Sequence, residues 1–186
     1  MSEDNVFDFS KLVKGRLSLK EDESLLMNQV ELALNSACAK AGDPHFHAIK
    51  LVECYAYRAG IDWEQYKNLG HFFYFNGDEG KYFLFAPSKD ACHHLCQLHL
   101  GGSDQYYEIS KDLGHIEISL IGRLASKFFD AYRYLIGEES LDGKFNNDRN
   151  LLFFSKSYLN NNKRQIVAHF EIQGIEKLRM FLFFRK

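Results

Sequence analysis

No apolar run in this sequence comes near the roughly 20 consecutive residues that a helix needs to cross a bilayer, so membrane insertion is not expected. Nor does one sign of charge dominate. Lys and Arg total 23 against 25 Asp and Glu, a formal net charge of -2. The basic face required by a nucleic-acid or membrane-surface binder is therefore missing. The start, MSEDNVFDFS, is acidic and lacks the basic-then-apolar layout of a secretory signal. These absences make the cytoplasm the expected location. Cysteine is scarce, at Cys38, Cys54, Cys92 and Cys96, and in a cytosolic chain these are expected as buried small hydrophobes and not as disulfides. Proline occurs only at Pro44 and Pro87. Catalytic signatures are absent too: no G-x-S-x-G elbow, no P-loop and no G-x-G-x-x-G is present. Lys163-Arg164 and Arg185-Lys186 are too few for a nucleic-acid patch and read as solvated ends.

What remains is the composition of one soluble globular domain: 186 residues, 46% hydrophobic and 26% charged. Seventeen Phe and ten Tyr point to strands and a well-filled core. Residues 1–20 are polar and mixed, a surface segment, and residues 21–186 form the single domain. Helical spacing of Leu25, Leu26, Val30, Leu32, Leu34 and Ala37 predicts a helix from Glu23 to about Ala41, stopped by Gly42-Asp43-Pro44. A strand over 46–57 follows, then a short helical turn over 62–68. His71–Phe75 and Lys81–Phe85 flank a glycine-containing loop and read as a hairpin. Pro87-Ser88 opens a short helix that ends at Leu100-Gly101-Gly102. After a polar loop over 103–114, Ile116, Leu120, Leu124, Phe128 and Leu135 supply the apolar stripe of a long helix, 116–136, with Ile121 and Ala131 beside it. A loop over 137–150, a strand over 151–155 and a second hairpin, Gln165–Ile172 with Glu176–Phe184, complete the reading.

The two hairpins share a rhythm. HFFYFNGDEGKYFLF and VAHFEIQGIEKLRMFLF each run from a strand to a glycine, Gly77 or Gly174, and into a strand ending in Leu-Phe. Each hairpin follows a strand, and each strand follows a long helix. The chain thus reads as two copies of helix, strand and hairpin, making one mixed sheet covered by helices.

One cluster carries chemistry-bearing side chains: Cys92, His93, His94, Cys96 and His99. On a helix Cys92, Cys96 and His99 share a face and supply three potential zinc ligands. The spacing lacks the separated second pair of standard zinc sites, so buried core cysteines are the expected reading, with no metal and no cofactor. His45 and His47 alternate on a strand, as residues of a solvated edge do.

In its order of elements, nearly the whole chain resembles the middle domain of the flagellar motor switch protein FliM. Phe7-Asp8-Phe9-Ser10-Lys11 with Val13–Arg16 is similar to the segment leading into that domain. Leu98–Gly102 resembles the family's short helix ending in Gly-Gly, Asp112–Glu117 its way into the long helix, and Val167–Phe183 its last hairpin. The resemblance implies a CheC/FliM-middle-like α/β fold: pseudo-twofold α/β/α layers, a mixed sheet with two hairpins, and two long helices. It also implies a non-enzymatic scaffold or adaptor of a flagellar ring, of chemotaxis signalling or of a related type III secretion apparatus, at the cytoplasmic face of a membrane-embedded machine. Its partners would be FliG-like or other ring subunits, or a response regulator, and homo-oligomers are compatible with it. The implied contact loop is Leu100, Gly101, Gly102, Ser103, Asp104 and Gln105. The chain departs from the family pattern in the absence of an N-terminal CheY-binding peptide and of a C-terminal surface-presentation domain. It also has Ser103-Asp104 where members often carry a further glycine. The CheC and CheX phosphatases share the fold and need a Glu and an Asn three residues apart on one helix. No Glu in this chain has an Asn three residues later. A diverged phosphatase, or a metal protein using Cys92, Cys96 and His99, remains the alternative.

Overall fold

Short aromatic runs whose side chains alternate between two faces build a sheet that is buried on both sides. A computed structural model describes residues 16–17, 19–39, 49–57, 66, 69, 71–76, 82–102, 105–136, 145–148 and 164–185. The strands are β1 (Arg16–Leu17), β2 (Ile49–Tyr57), β3 (Phe72–Asn76), β4 (Tyr82–Pro87), β5 (Phe145–Asp148), β6 (Gln165–Ile172) and β7 (Arg179–Arg185). They form a 7-stranded sheet in the order β1-β2-β6-β7-β4-β3-β5. The helices are α1 (Glu21–Ala39), α2 (Lys89–His99) and α3 (His115–Ile136), with a 3-10 turn at Glu176–Leu178.

This order bears out the repeat. Exchanging β2 with β5, β3 with β6 and β4 with β7 reproduces the sequence of neighbours read backwards, leaving only β1 without a counterpart. The pseudo-twofold axis therefore passes between β4 and β7, where Phe83 pairs with Phe184, Leu84 with Phe183 and Phe85 with Leu182. An axis normal to the sheet reverses strand direction, so the two copies must meet antiparallel. Every described pairing is in fact antiparallel. The expectation of a sheet of mixed direction is corrected accordingly.

One face carries Phe73, Phe75, Phe83, Phe85, Ile166, Ala168, Phe170, Met180 and Leu182 against the helices. All three helices contribute to it: Met27 and Val30 from α1, Ala91, Cys92, Leu95 and Cys96 from α2, and Ile121, Ala125, Phe128, Phe129 and Tyr132 from α3. Phe129 stacks flat on Phe75, with ring centroids 3.9 Å apart. The opposite face holds Leu84, Ala86, Val167, Phe181 and Phe183, with Tyr66 and Leu69 from the connection between β2 and β3. Tyr66 also shares a 2.7 Å hydroxyl hydrogen bond with Tyr55. Among the described residues there is thus one helical layer, where two were expected.

Several boundaries differ from the sequence reading. Arg16 and Leu17, in the stretch read as a surface segment, pair with Tyr57 and Ala56 as the edge strand of the sheet. α1 begins at Glu21, and its three acids, Glu21, Asp22 and Glu23, sit where the helix dipole favours negative charge. The stripe of α3 holds at Phe128 and, half-buried, at Leu120 and Leu124, but not at its first member. Ile116 is 73% exposed, whereas Ile121, Ala125, Phe128 and Tyr132 are buried. β5 lies inside the expected 137–150 loop and pairs with β3. Gln173 and Gly174 turn with positive φ, and Leu178 is then buried through the 3-10 turn before β7 starts at Arg179. The strand expected over 151–155, the pair His45 and His47, and most of the helical turn over 62–68 lie outside the described residues.

Candidate functional site

α2 starts and stops on its own residues. Ser88 caps its N-terminus by accepting from the Ala91 N–H at 3.1 Å, and donates its hydroxyl to the Lys177 carbonyl at 2.7 Å. At the other end the Gly102 N–H donates to the Gln97 carbonyl at 2.8 Å and the Gly101 N–H to the Leu98 carbonyl at 3.0 Å. That pair of bonds is a Schellman motif, with Gly101 at φ 77 as its left-handed residue. A side chain at Gly102 would lie 2.9 Å from the Gln97 carbonyl oxygen. Both glycines are therefore set by the end of the helix. Leu100, between the helix and the glycines, is 69% exposed.

From Gln105 the chain returns to α3 along a tethered strap. The Tyr107 hydroxyl donates to Gln105 Oε1 at 2.6 Å, and Lys177 Nζ binds Glu108 at 2.8 Å. Lys89 Nζ reaches the Ser110 carbonyl at 3.0 Å and Asp112 at 3.1 Å. Glu117, in the first turn of α3, closes the strap. One carboxylate oxygen accepts from the Gly114 N–H at 2.6 Å, which is half of a capping box. The other lies 2.8 Å from Nδ1 of buried His93. His93 Nε2 is 3.1 Å from the Lys111 carbonyl. The ring is thus held at both nitrogens, by a side chain of α3 on one side and the strap backbone on the other. Partial burial opposes the charge on Glu117, but Gly114, His93 and Lys111 outweigh it and hold its carboxyl below the usual range. His93, Lys111 and Glu117 thus fix α2, the strap and α3 together.

The sequence-predicted residues separate accordingly. Leu100, Gly101, Gly102 and Gln105 are described, and all are exposed. Ser103 and Asp104 lie outside the described residues. Cys92 and Cys96 are buried against the sheet, while His99 is exposed at the helix end. Burial pushes the Cys92 thiol well above its ordinary value, and burial followed by the nearby Glu117 charge pushes Cys96 to about 12. Thiols held protonated in this way suit core packing. Among the described residues no group of three His, Cys, Asp or Glu is arranged to hold a metal. A Glu and an Asn do share a face of α1, Glu31 and Asn35, but four residues apart. Both side chains bond the β2 backbone: Glu31 Oε2 accepts from the Leu51 N–H at 3.2 Å, and Asn35 bonds Ile49. The His93–Glu117 network was not read from the sequence. Its one local signal is the Gly114-x-x-Glu117 spacing at the start of an apolar helix.

No helix among the described residues is long and apolar enough to cross a membrane. No described protein family matches this chain, and no curated protein does. Solved structures do match. Helicobacter pylori FliM in a FliG–FliM complex is 13% identical with a TM-score of 0.65, covering 89% of this chain and 94% of that one. FliM from the same organism in a FliM–SpeE complex is 10% identical with a TM-score of 0.67, covering 90% and 89%. A CheC-like superfamily protein from a Shewanella species is 9% identical with a TM-score of 0.53, covering 89% and 97%. The fold of this chain is therefore that of the FliM middle domain and the CheC-like proteins.

Proposed function

We propose that this chain is a non-enzymatic interaction module of flagellar-switch type, working in the cytoplasm, and that it contacts a FliG-like subunit through the loop Leu100–Gln105. The observation that carries the reading is the exposed Leu100, an apolar side chain presented at 69% exposure on a helix end fixed by Gly101 and Gly102. Tyr107 and Ile116, 55% and 73% exposed, stand on the strap and at the start of α3, the two elements tied to α2 by His93 and Glu117. Apolar groups on rigid supports lose little conformational entropy on binding and are favoured as anchors. The likeness to FliM, one example of which was crystallised with FliG, points to the class of partner.

The test is titration calorimetry of the purified chain against a purified FliG-type subunit from the same host. Leu100→Asp should abolish binding while leaving the melting temperature unchanged. Undiminished binding by that variant would remove the loop from the reading, and no binding by the unmodified chain would remove the partner. A second reading, response-regulator phosphatase, rests on the CheC-like fold. It requires faster loss of phosphate from a phosphorylated response regulator when the chain is added.

A further inference from the structure

Among the described residues, the outer edge of β2 is a row of backbone groups that no complete strand covers. β2 spans nine residues, and among the described residues β1 pairs with it at Ala56 and Tyr57. The other side of β2 is taken by β6 along its whole length, from Ile49 opposite Ile172 to Tyr57 opposite Gln165. An edge of this kind is a template for pairing with a second chain.

Two side chains of α1 occupy that edge. The Ile49 N–H donates to Asn35 Oδ1 at 2.8 Å, and Asn35 Nδ2 donates to the Ile49 carbonyl at 2.9 Å. A carboxamide that accepts from and donates to one residue makes the same two bonds that a neighbouring strand would make. Asn35 Nδ2 also donates to the Glu31 carbonyl at 2.9 Å, which fixes its orientation. One turn earlier, Glu31 Oε2 accepts from the Leu51 N–H at 3.2 Å. Residues two apart on a strand turn their N–H groups to the same edge, so Ile49 and Leu51 are capped in succession. The register then shifts between Leu51 and Glu53, an irregularity that breaks the ladder before β1 begins. Lys50 and Glu53 along this stretch are exposed and charged, another feature that discourages pairing.

We propose that Glu31 and Asn35 act as a surrogate strand, closing the β2 edge against pairing with the same edge of a second copy of this chain. The role differs from any contact made through Leu100, which stands at the C-terminal end of α2 and not on α1 or β2. Uncapping the edge should free Ile49 and Leu51 for antiparallel pairing, and association should follow.

The experiment places a reporter cysteine at exposed Lys50, between the two capped residues, in the full chain. Lys50→Cys is compared alone and combined with Glu31→Ala and Asn35→Ala, with cross-linking under mild oxidation and sedimentation read over a range of concentrations. The expected result is concentration-dependent dimers cross-linked through position 50 only in the uncapped chain. Amide exchange at Ile49 and Leu51 should also quicken roughly fivefold in the uncapped monomer. Asn35→Asp keeps the acceptor for Ile49 N–H but loses the donor to its carbonyl, and should fall between the two. Should the doubly substituted chain fail to fold by circular dichroism, Glu31→Ala alone carries the test at Leu51. A folded, uncapped chain that shows no more cross-linking than its capped parent overturns the proposal.

Discussion

Gly101 and Gly102 stand side by side, yet replacing each should fail for a different reason. Gly101 has φ 77 with nothing within 4 Å of an added Cβ. Gly101→Ala therefore carries only the backbone cost of a left-handed alanine, about 1 kcal/mol, and Gly101→Asn should cost less. At Gly102 an added Cβ meets Gln97 Cγ at 2.6 Å and the Gln97 carbonyl oxygen at 2.9 Å. The Cγ belongs to a flexible side chain and can swing away. The carbonyl oxygen cannot, because it accepts the Gly102 N–H at 2.8 Å and ends the helix. Relieving the contact lengthens that bond, so strain and a weakened hydrogen bond together give about 2 kcal/mol for Gly102→Ala. For a chain of this size each kcal/mol moves the melting temperature by about 2–4 °C. Urea denaturation of Gly101→Ala, Gly102→Ala and Gly102→Ala in a Gln97→Ala background separates the causes. Removing Gln97 Cγ should recover only a part of the loss. Full recovery, or a Gly102→Ala chain as stable as its parent, would refute the assignment of Gly102 to the helix end. The consequence for binding is direct: a contact at this loop has to be tested at Leu100, because glycine replacements disturb the helix that presents it.

Arg164 first, with help from Lys20, holds the Glu23 carboxyl below its usual range against the opposing effect of burial. A lowered folded value means stability that is complete above the ordinary carboxylate range and lost as the pH falls through the lowered value. Glu23→Gln should therefore cost about 2 kcal/mol at neutral pH, with the difference from the parent shrinking in urea melts run at acid pH. Phe129→Ala removes the ring stacked on Phe75 and should cost about 3–5 kcal/mol, read as a shift of the denaturation midpoint without a change of slope. His93→Ala leaves the Glu117 carboxylate and the Lys111 carbonyl without their shared partner. It should speed amide exchange in the strap and at the start of α3, while β6 and β7 stay protected.

The hairpins and the long helix were legible because their signals are local. Aromatic alternation around a glycine specifies β3 with β4 and β6 with β7, and the uninterrupted apolar spacing of 115–136 specifies α3. On α3 the stripe was read correctly at Leu120, Leu124 and Phe128, with Ile121 beside it, but Ile116 fits by spacing alone, and Ala125 and Tyr132 are buried by the neighbouring core without having been read. β5, Phe-Asn-Asn-Asp in sequence, has no alternating pattern and exists only because the β3 edge accepts it. Strand direction between the two copies is a matter of which edges meet, and nothing in either hairpin encodes that. At the site, Gly101-Gly102 was readable as a helix stop. The triad of His93, Lys111 and Glu117 was not, since its members come from a helix, a strap and a second helix.

The exchange of strands between the two halves has a consequence for how the chain can be made. β2 comes from the first half but is held by β6 of the second, and β5 from the second is held by β3 of the first. Each half thus lacks the strand that finishes its own edge and carries one that finishes the other's. Severed between α2 and α3, the two pieces would be mutual templates, each unable to complete a sheet without the other. In the intact chain the β2–β6 half of this interlock must wait until β6 has been made, and it closes the longest loop of any described strand pairing.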